Sequence, residues 1–150
     1  MPAMHRMGAV AGLFVVAGVA ACSSGLLDEL TTAPTGVPVV LSTAFTPGIV
    51  ATSGTITGKG DSVVALVTRP ATCGRTETAD AGSTAAGLVI TISLTSTGVQ
   101  NCAPLNGMTT YRAVVHGIAP GVFNASAHVR LVSNGTNSDT TVVEATVKLP

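Results

Sequence analysis

The side chains of Leu88-Val89-Ile90-Thr91-Ile92-Ser93-Leu94 alternate strictly in character. Leucine or isoleucine occupies every second position, and valine, threonine or serine stands between them. A period of two places each set on one face of an extended chain. The stretch therefore predicts a β-strand with one aliphatic face in a core.

Two later stretches repeat this alternation. From Phe123 to Leu131, apolar residues alternate with Asn, Ser, His and Arg, and from Val143 to Leu149 they alternate with Glu, Thr and Lys. Antiparallel sheets with one face in solvent show this pattern. Both stretches are therefore predicted to be half-buried strands.

Four more segments are apolar or Thr-rich and are bounded by turn residues. They cover residues 37–43, 49–57, 62–69 and 108–116. Gly58-Lys59-Gly60-Asp61 separates two of them and predicts a hairpin turn in which glycine supplies a positive φ. Seven strands without a helical period predict an all-β sandwich of about seven antiparallel strands over residues 37–150.

The stretch from Tyr111 to Phe123 is interpreted as a hairpin that turns at Gly117 to Gly121. Its Tyr, Gly-Ile-Ala-Pro-Gly and following aromatic residue resemble the E–F corner of fibronectin type III and other immunoglobulin-like domains. The same residues resemble the Pro-Gly-x-aromatic hairpin of transthyretin-like and carboxypeptidase-regulatory domains. The resemblance implies an immunoglobulin-like sandwich, although Phe123 stands where the corner tyrosine would be and lacks its hydroxyl.

The N-terminus has the organisation of an export signal. Arg6 supplies a positive charge, and residues 8–21 then run without a charge up to Cys22. This is the signal-peptide pattern, and the run of about fourteen residues is shorter than the roughly twenty that span a bilayer as a helix. Residues 1–21 are therefore predicted to be a signal peptide, with an ordinary cleaved signal or a short anchor as alternatives.

Val19-Ala20-Ala21-Cys22 resembles the lipobox of bacterial lipoproteins. The resemblance implies cleavage before Cys22, acylation of Cys22, and anchoring to a membrane through that lipid. Residues 22–36, rich in Ser, Thr, Gly and Pro, are expected to be a flexible tether. Because Ser23 stands where an Asp would retain a lipoprotein in the inner membrane, the resemblance favours the outer membrane.

The chain has three cysteines, Cys22, Cys73 and Cys102. An odd count leaves one thiol over in an exported protein. Assigning Cys22 to lipid leaves Cys73 and Cys102, which can close a disulfide loop of about thirty residues. Two free thiols are the alternative, and a metal site at these cysteines is disfavoured because no His or second Cys lies at ligand spacing.

Composition argues against several classes of partner. Without Arg6, six Lys and Arg face seven Asp and Glu, so the exported part has no basic footprint for nucleic acid. Trp is absent, and beyond the signal only Phe45, Tyr111 and Phe123 are aromatic. Neither stacking platforms for bases nor aromatic walls for sugars can be built from so few rings.

His116 and His128 are the two histidines outside the signal. In the predicted hairpin they lie about six residues apart along the ladder, roughly 20 Å at the usual rise per residue, so no metal can bridge them. The same register places Arg112, His128 and Arg130 on one outward face, with Arg112 near Ser126. A weak anion-binding patch is one interpretation of these residues. The simpler interpretation is that they are solvent-exposed side chains without a ligand.

No catalytic constellation stands out. Neither histidine has a carboxylate beside it in the sequence, and no serine lies in a Gly-x-Ser-x-Gly motif. Glu77 and Asp80 are interpreted as part of a solvated loop between Cys73 and Leu88. Together with Asp139 they are the candidates for a calcium site at one end of the sandwich.

These observations favour a non-enzymatic envelope module that docks a partner protein or spaces parts of the cell surface. A calcium or ligand carrier is the second hypothesis, and a small hydrolase is the third. No catalytic residue, metal ligand or cofactor is assigned, and an envelope protein is the candidate partner.

Overall fold

In the computed structural model, residues 36–48, 50–98 and 105–150 are described, and they form eight β-strands and no helix. The strands, in chain order, are β1 (Val39–Pro47), β2 (Ser53–Lys59), β3 (Ser62–Pro70), β4 (Arg75–Thr84), β5 (Gly87–Ser96), β6 (Gly107–Val115), β7 (Gly121–Ser133) and β8 (Thr136–Leu149). Cys22, Cys102, the predicted signal peptide and nearly all of the predicted tether lie outside these ranges.

The eight strands form two four-stranded sheets packed face to face. One sheet has the order β1-β6-β3-β2 and the other has the order β4-β5-β7-β8. The core between them is built from inward-facing aliphatic side chains of both sheets. The predicted all-β sandwich is therefore confirmed, with eight strands in place of about seven.

The strands run between two ends of the sandwich. At the near end β1 begins and β8 finishes, and at the far end β3 finishes and β4 begins. β6 lies in the opposite sheet and carries the chain back from β5, so that β7 starts at the same end as β5. For this reason β5 and β7 pair in parallel, whereas the other paired strands are antiparallel as predicted.

The alternation that predicted the strands also selects the side chains of the core. Leu88, Ile90, Ile92 and Leu94 of β5 are each at most 5% exposed. On β7, the buried residues Ala125, Ala127 and Val129 alternate with partly exposed ones, and on β8 Val147 and Leu149 are buried. At about 25 cal/mol per Å² of apolar surface removed from water, these faces stabilise the sandwich.

The predicted hairpin between β6 and β7 is wrong. β6 lies in one sheet and β7 in the other, so residues 116–120 arch across the near end. Ile118 packs against the core, and its N–H donates to the carbonyl of Asp61 at 2.9 Å. These contacts fasten the arch to the turn between β2 and β3, and they place the inner faces of β6 and β7 opposite each other.

The loop predicted around Glu77 and Asp80 is also wrong, because both residues lie in β4. Only Ala79 and Ala81 are apolar on the core side of this strand, so its sequence lacks the strong alternation of the other strands. β4 is held by its ladder to β5 and by an antiparallel bridge between Val37 and Ala81. Tertiary pairing thus outweighs a weak local preference for the extended state.

β8 begins earlier than predicted because Asn134 and Gly135 form a two-residue turn with φ angles of 49° and 78°. Positive φ at both positions fits the type I′ hairpin turn that Asn-Gly favours. A β-bulge between Ala127 and His128 then leaves Val142 as an extra residue of β8. Through this bulge Val142 and Val143 both pack toward the core, while Thr141 and Asp139 before them face outward beside His128 and Arg130.

Candidate functional site

The outer face of the β4-β5-β7-β8 sheet is almost entirely polar, and we call it the polar face. Its central level places Asp80, Thr91, His128 and Thr141 side by side, one from each strand. The flanking levels contribute the following residues: Thr78, Ser93, Arg130 and Asp139 on one side, and Gly82, Val89, Ser126 and Glu144 on the other. Thr91 is only 6% exposed, so side chains pack closely on this face.

His128 is the centre of a hydrogen-bond network on the polar face. Its Nε2 lies 3.0 Å from the Ser126 hydroxyl, and its Nδ1 lies 3.2 Å from Asp139 Oδ1 and 3.4 Å from the Thr141 hydroxyl. With the proton on Nδ1, the ring donates to Asp139, and Nε2 accepts from Ser126. Serine, histidine and aspartate thus lie in a line of hydrogen bonds.

Asp139 is shared between His128 and Arg130. Its Oδ2 accepts hydrogen bonds from Arg130 Nε at 3.2 Å and from the terminal Nη2 at 3.1 Å. Side-chain exposures of 25% for His128, 44% for Arg130 and 41% for Asp139 place the cluster at the solvent boundary. Ion pairs at such exposure contribute about 0 to 1 kcal/mol each, so the cluster orients its side chains more than it stabilises the fold.

The sequence contained a signal for this cluster. A two-residue turn at Asn134-Gly135 pairs Ser133 with Thr136, and counting outward along both strands brings Arg130 opposite Asp139. Asp139 is not beside His128 in the sequence, because it lies on the neighbouring strand, diagonally across the ladder from His128. The period-two rule then places Ser126, His128 and Arg130 on the same face.

An open depression of about 470 Å³ adjoins Ser126 on the polar face. Gly87 and Ala86 lie at one side of it, and Asn124, Ser126, Glu144 and Thr146 supply its polar groups. The Thr146 hydroxyl donates to Asn124 Oδ1 at 3.2 Å. The depression can therefore admit a polar group of a ligand or of a partner's side chain beside Ser126.

The predicted patch of Arg112, His128 and Arg130 does not form. Arg112 lies on β6 in the other sheet, so it is not opposite Ser126. His116 follows β6, and its Nδ1 lies 2.9 Å from the hydroxyl of Ser62. That hydroxyl also donates to Asp61 at 2.9 Å, so His116 belongs to a separate cluster at the near end.

The carboxylates proposed for calcium are not brought together. Glu77 and Asp80 project from opposite faces of β4. Asp139 lies on β8, which is the opposite edge strand of the same sheet. Within the described ranges, no group of three His, Cys, Asp or Glu side chains is arranged to hold a metal ion. The structure therefore offers no geometric support for a calcium site built from these three residues.

Glu77 instead accepts a hydrogen bond from the hydroxyl of Tyr111 at 3.1 Å. The Tyr111 ring is buried among core residues, with 1% of its surface exposed. Burial of the phenol and the neighbouring Glu77 carboxylate raise the pKa of Tyr111 to about 12. Tyr111 is therefore a neutral donor that links β6 to β4 across the sandwich.

Cys73 lies in the connection from β3 to β4 at the far end, next to Gly74. The carbonyl of Gly74 accepts from both the N–H and the hydroxyl of Thr97, at 2.8 and 2.9 Å. The chain that leads to Cys102 therefore departs close to Cys73. Because Cys102 itself lies outside the described residues, its pairing with Cys73 stays a prediction.

From residue 36 onward, the described parts of the chain contain no helix with the length and hydropathy of a membrane span. Comparison of the chain with protein-family models, with curated proteins and with solved structures finds no match.

Proposed function

We propose that this protein is a lipid-anchored lipoprotein of the bacterial cell envelope whose β-sandwich is a non-enzymatic interaction module, with the polar face as its binding surface. The polar face is supported most strongly as a binding surface by the ordered network in its middle, which consists of Ser126, His128, Arg130 and Asp139. Side chains already held in place lose little conformational freedom when a partner binds.

The chemistry of the polar face suits a polar partner surface. Hydroxyls of Thr78, Ser93 and Thr141 can each donate or accept, and they flank the charged cluster. Non-obligate interfaces contain about ten direct hydrogen bonds, and many hydroxyl groups on one sheet face can supply them. An envelope protein that presents polar side chains is therefore the proposed partner.

A binding role also fits the position of Ser126 better than a catalytic one. Ser126 lies within β7, which pairs with β5 on one edge and with β8 on the other. A strand paired on both edges commits its backbone N–H groups to the ladders. Acyl transfer needs donors directed at a developing oxyanion, and the ladders leave few near Ser126.

The proposed anchor is compatible with the path of the chain. Residue 36 leads into β1 at the near end, and the nine residues of β1 then carry the chain to the far end, about 30 Å away at the usual rise. A lipid on Cys22 would hold the domain from its near end. The proposed disulfide between Cys73 and Cys102 would fasten the loops at the opposite end.

Site-specific photo-crosslinking in cells tests the binding surface. A photoreactive amino acid replaces Thr78, an exposed residue of the polar face, and the matched control replaces Ser42, an exposed residue on the outer face of the other sheet. We expect one discrete crosslinked protein from position 78 and not from position 42. Crosslinks of equal yield from both positions, or none from position 78, would contradict the polar face as the docking surface.

A small hydrolase is a second candidate, favoured by the hydrogen-bonded line of Ser126, His128 and Asp139. A nucleophilic serine with an oriented base reacts with fluorophosphonate esters. If this candidate is correct, such a probe labels Ser126 in the native protein and fails to label the His128→Ala variant. The interaction module predicts no labelling of Ser126 in either protein.

A further inference from the structure

A second concave site lies between the two sheets at the far end, away from the polar face. It is an open cleft of about 150 Å³ between β3, β7 and β8. Its apolar walls are Val67, Val129, Leu131 and Val142, and Thr52 and Thr140 contribute hydroxyls. The cleft thus continues the hydrophobic core toward solvent.

Arg69 is the one charged side chain that lines this cleft. It follows Val67 at an interval of two on β3, and therefore projects to the same inner side of the sheet. Within the described residues, Arg69 makes no ion pair or side-chain hydrogen bond, whereas Arg130 is paired with Asp139 and Arg75 donates to the carbonyl of Leu94. A half-buried guanidinium with five donors thus faces an apolar cleft without an anion.

The charges around Arg69 do not compensate it. Burial lowers the pKa of the Arg69 guanidinium; Tyr111 opposes this effect, and the positive charge of Arg75 adds to it. The Glu77 carboxylate accepts a hydrogen bond from Tyr111 and forms no ion pair with Arg69. Because arginine stays protonated in proteins, the far end keeps a positive charge in surroundings of reduced polarity, where an anion would be stabilised.

We propose that this cleft binds a small organic carboxylate whose apolar body lies against Val67, Val129, Leu131 and Val142 and whose carboxylate pairs with Arg69. Guanidinium and carboxylate match in a planar, two-bond geometry. A cavity of about 150 Å³ with aliphatic walls accommodates a benzene-sized group. Benzoate, which joins such a group directly to a carboxylate, is therefore the probe that fits the site.

Titration of the exported domain, followed by NMR of its valine and leucine methyl groups, tests the site. We compare benzoate with benzamide, which has the same shape without the charge, in the wild type and in the Arg69→Gln variant. Benzoate should give saturable shifts at the four wall residues and should bind about tenfold more tightly than benzamide. In Arg69→Gln, that preference for the charged ligand should disappear.

Two further variants separate the site from general effects. Arg112→Gln removes an exposed guanidinium from the outer face of the same sheet and should leave benzoate affinity unchanged. Val142→Phe fills the cleft and should abolish the shifts, while the remaining methyl spectrum shows that the variant is folded. Equal binding of benzoate and benzamide, equal loss in both arginine variants, or shifts that avoid the wall residues would overturn the proposal.

Discussion

Gly87 shows how a single residue permits the pairing of two strands. A Cβ at this position would lie 2.1 Å from the carbonyl oxygen of Asn124, and the φ of Gly87 is +130°. Any larger residue therefore meets both a backbone clash and an unfavourable backbone conformation. Tyr111 is a second residue with a specific structural role: its ring is buried, and its hydroxyl donates a hydrogen bond to Glu77.

Gly87→Ala is expected to destabilise the domain by about 3 kcal/mol, since overpacking and backbone strain each cost about 1 to 3 kcal/mol. The matched control is Gly117→Ala, where φ is +72° and no atom lies within 4 Å of the added Cβ. The control carries only the conformational cost of about 1 to 2 kcal/mol. Urea unfolding measures both, and an equal loss in the two variants would contradict the close approach at Gly87.

Tyr111 predicts a loss of stability at high pH. Its folded pKa of about 12 lies above the ordinary value of 10.0, so the fold favours the neutral phenol. The corresponding stability is fully present below pH 10 and is lost as the pH rises through 12, in total about 3 kcal/mol. The wild type should therefore lose more stability over this interval than Tyr111→Phe does.

The same residue provides its own spectroscopic readout. Tyr111 is the only tyrosine and the chain has no tryptophan, so phenolate absorbance reports this side chain alone. The midpoint should lie near pH 12 in the folded protein and near 10 in denaturant. A folded midpoint at 10 would show that Tyr111 is not buried against Glu77.

At the scale of strands, alternation predicted which residues face the core but not which strands are neighbours. The inner faces of β5 and β7 followed from Leu88–Leu94 and Phe123–Leu131. The sequence predicts a hairpin at residues 116–120. An arch between two sheets gives the same sequence pattern, because it also joins two strands whose side chains alternate. The choice depends on contacts distant in sequence, such as the hydrogen bond from Ile118 to Asp61.

Other elements differ in how far the sequence could predict them. β4 was missed because Ala79 and Ala81 carry little hydrophobic signal. The pairing of Asp139 with Arg130, by contrast, could be derived from the Asn134-Gly135 turn. The Arg69 cleft could not be predicted, since its walls come from both sheets and require their packing to be known.

The parallel pairing of β5 with β7 makes a prediction for NMR. Short contacts between backbone protons should connect Ile90 with Ala127 and Ile92 with Val129, which are partners in the parallel ladder. His116 and Val122, which the predicted hairpin would pair, should show no such contacts. Backbone contacts between β6 and β7 in place of these would contradict the arch and the two-sheet arrangement.

In the whole molecule, we propose that the two ends of the sandwich have different roles. The near end receives the chain from the proposed tether, and it is closed by the arch and by the bridge between Val37 and Ala81. The far end contains Cys73 and the Arg69 cleft. The proposed disulfide between Cys73 and Cys102 would constrain the loops at this end.

Replacing Cys73 and Cys102 together by serine should lower the free energy of unfolding by about 3 to 4 kcal/mol, because the closed loop has about thirty residues. The control is the wild type under reducing conditions, which should lose a similar amount. If reduction changes the stability of the wild type and not of the double variant, the pair is confirmed. No response of the wild type to reduction would contradict it.

The proposed anchored module requires that Cys22 be the acylated first residue of an exported protein. The measurement that tests this directly is the intact mass of the protein extracted from cell membranes, compared with that of Cys22→Ala. We predict a mass equal to residues 22–150 plus lipid for the wild type, and loss of the protein from the membrane fraction for the variant. A wild-type mass that begins at Met1, or that includes no lipid, would contradict the anchored module.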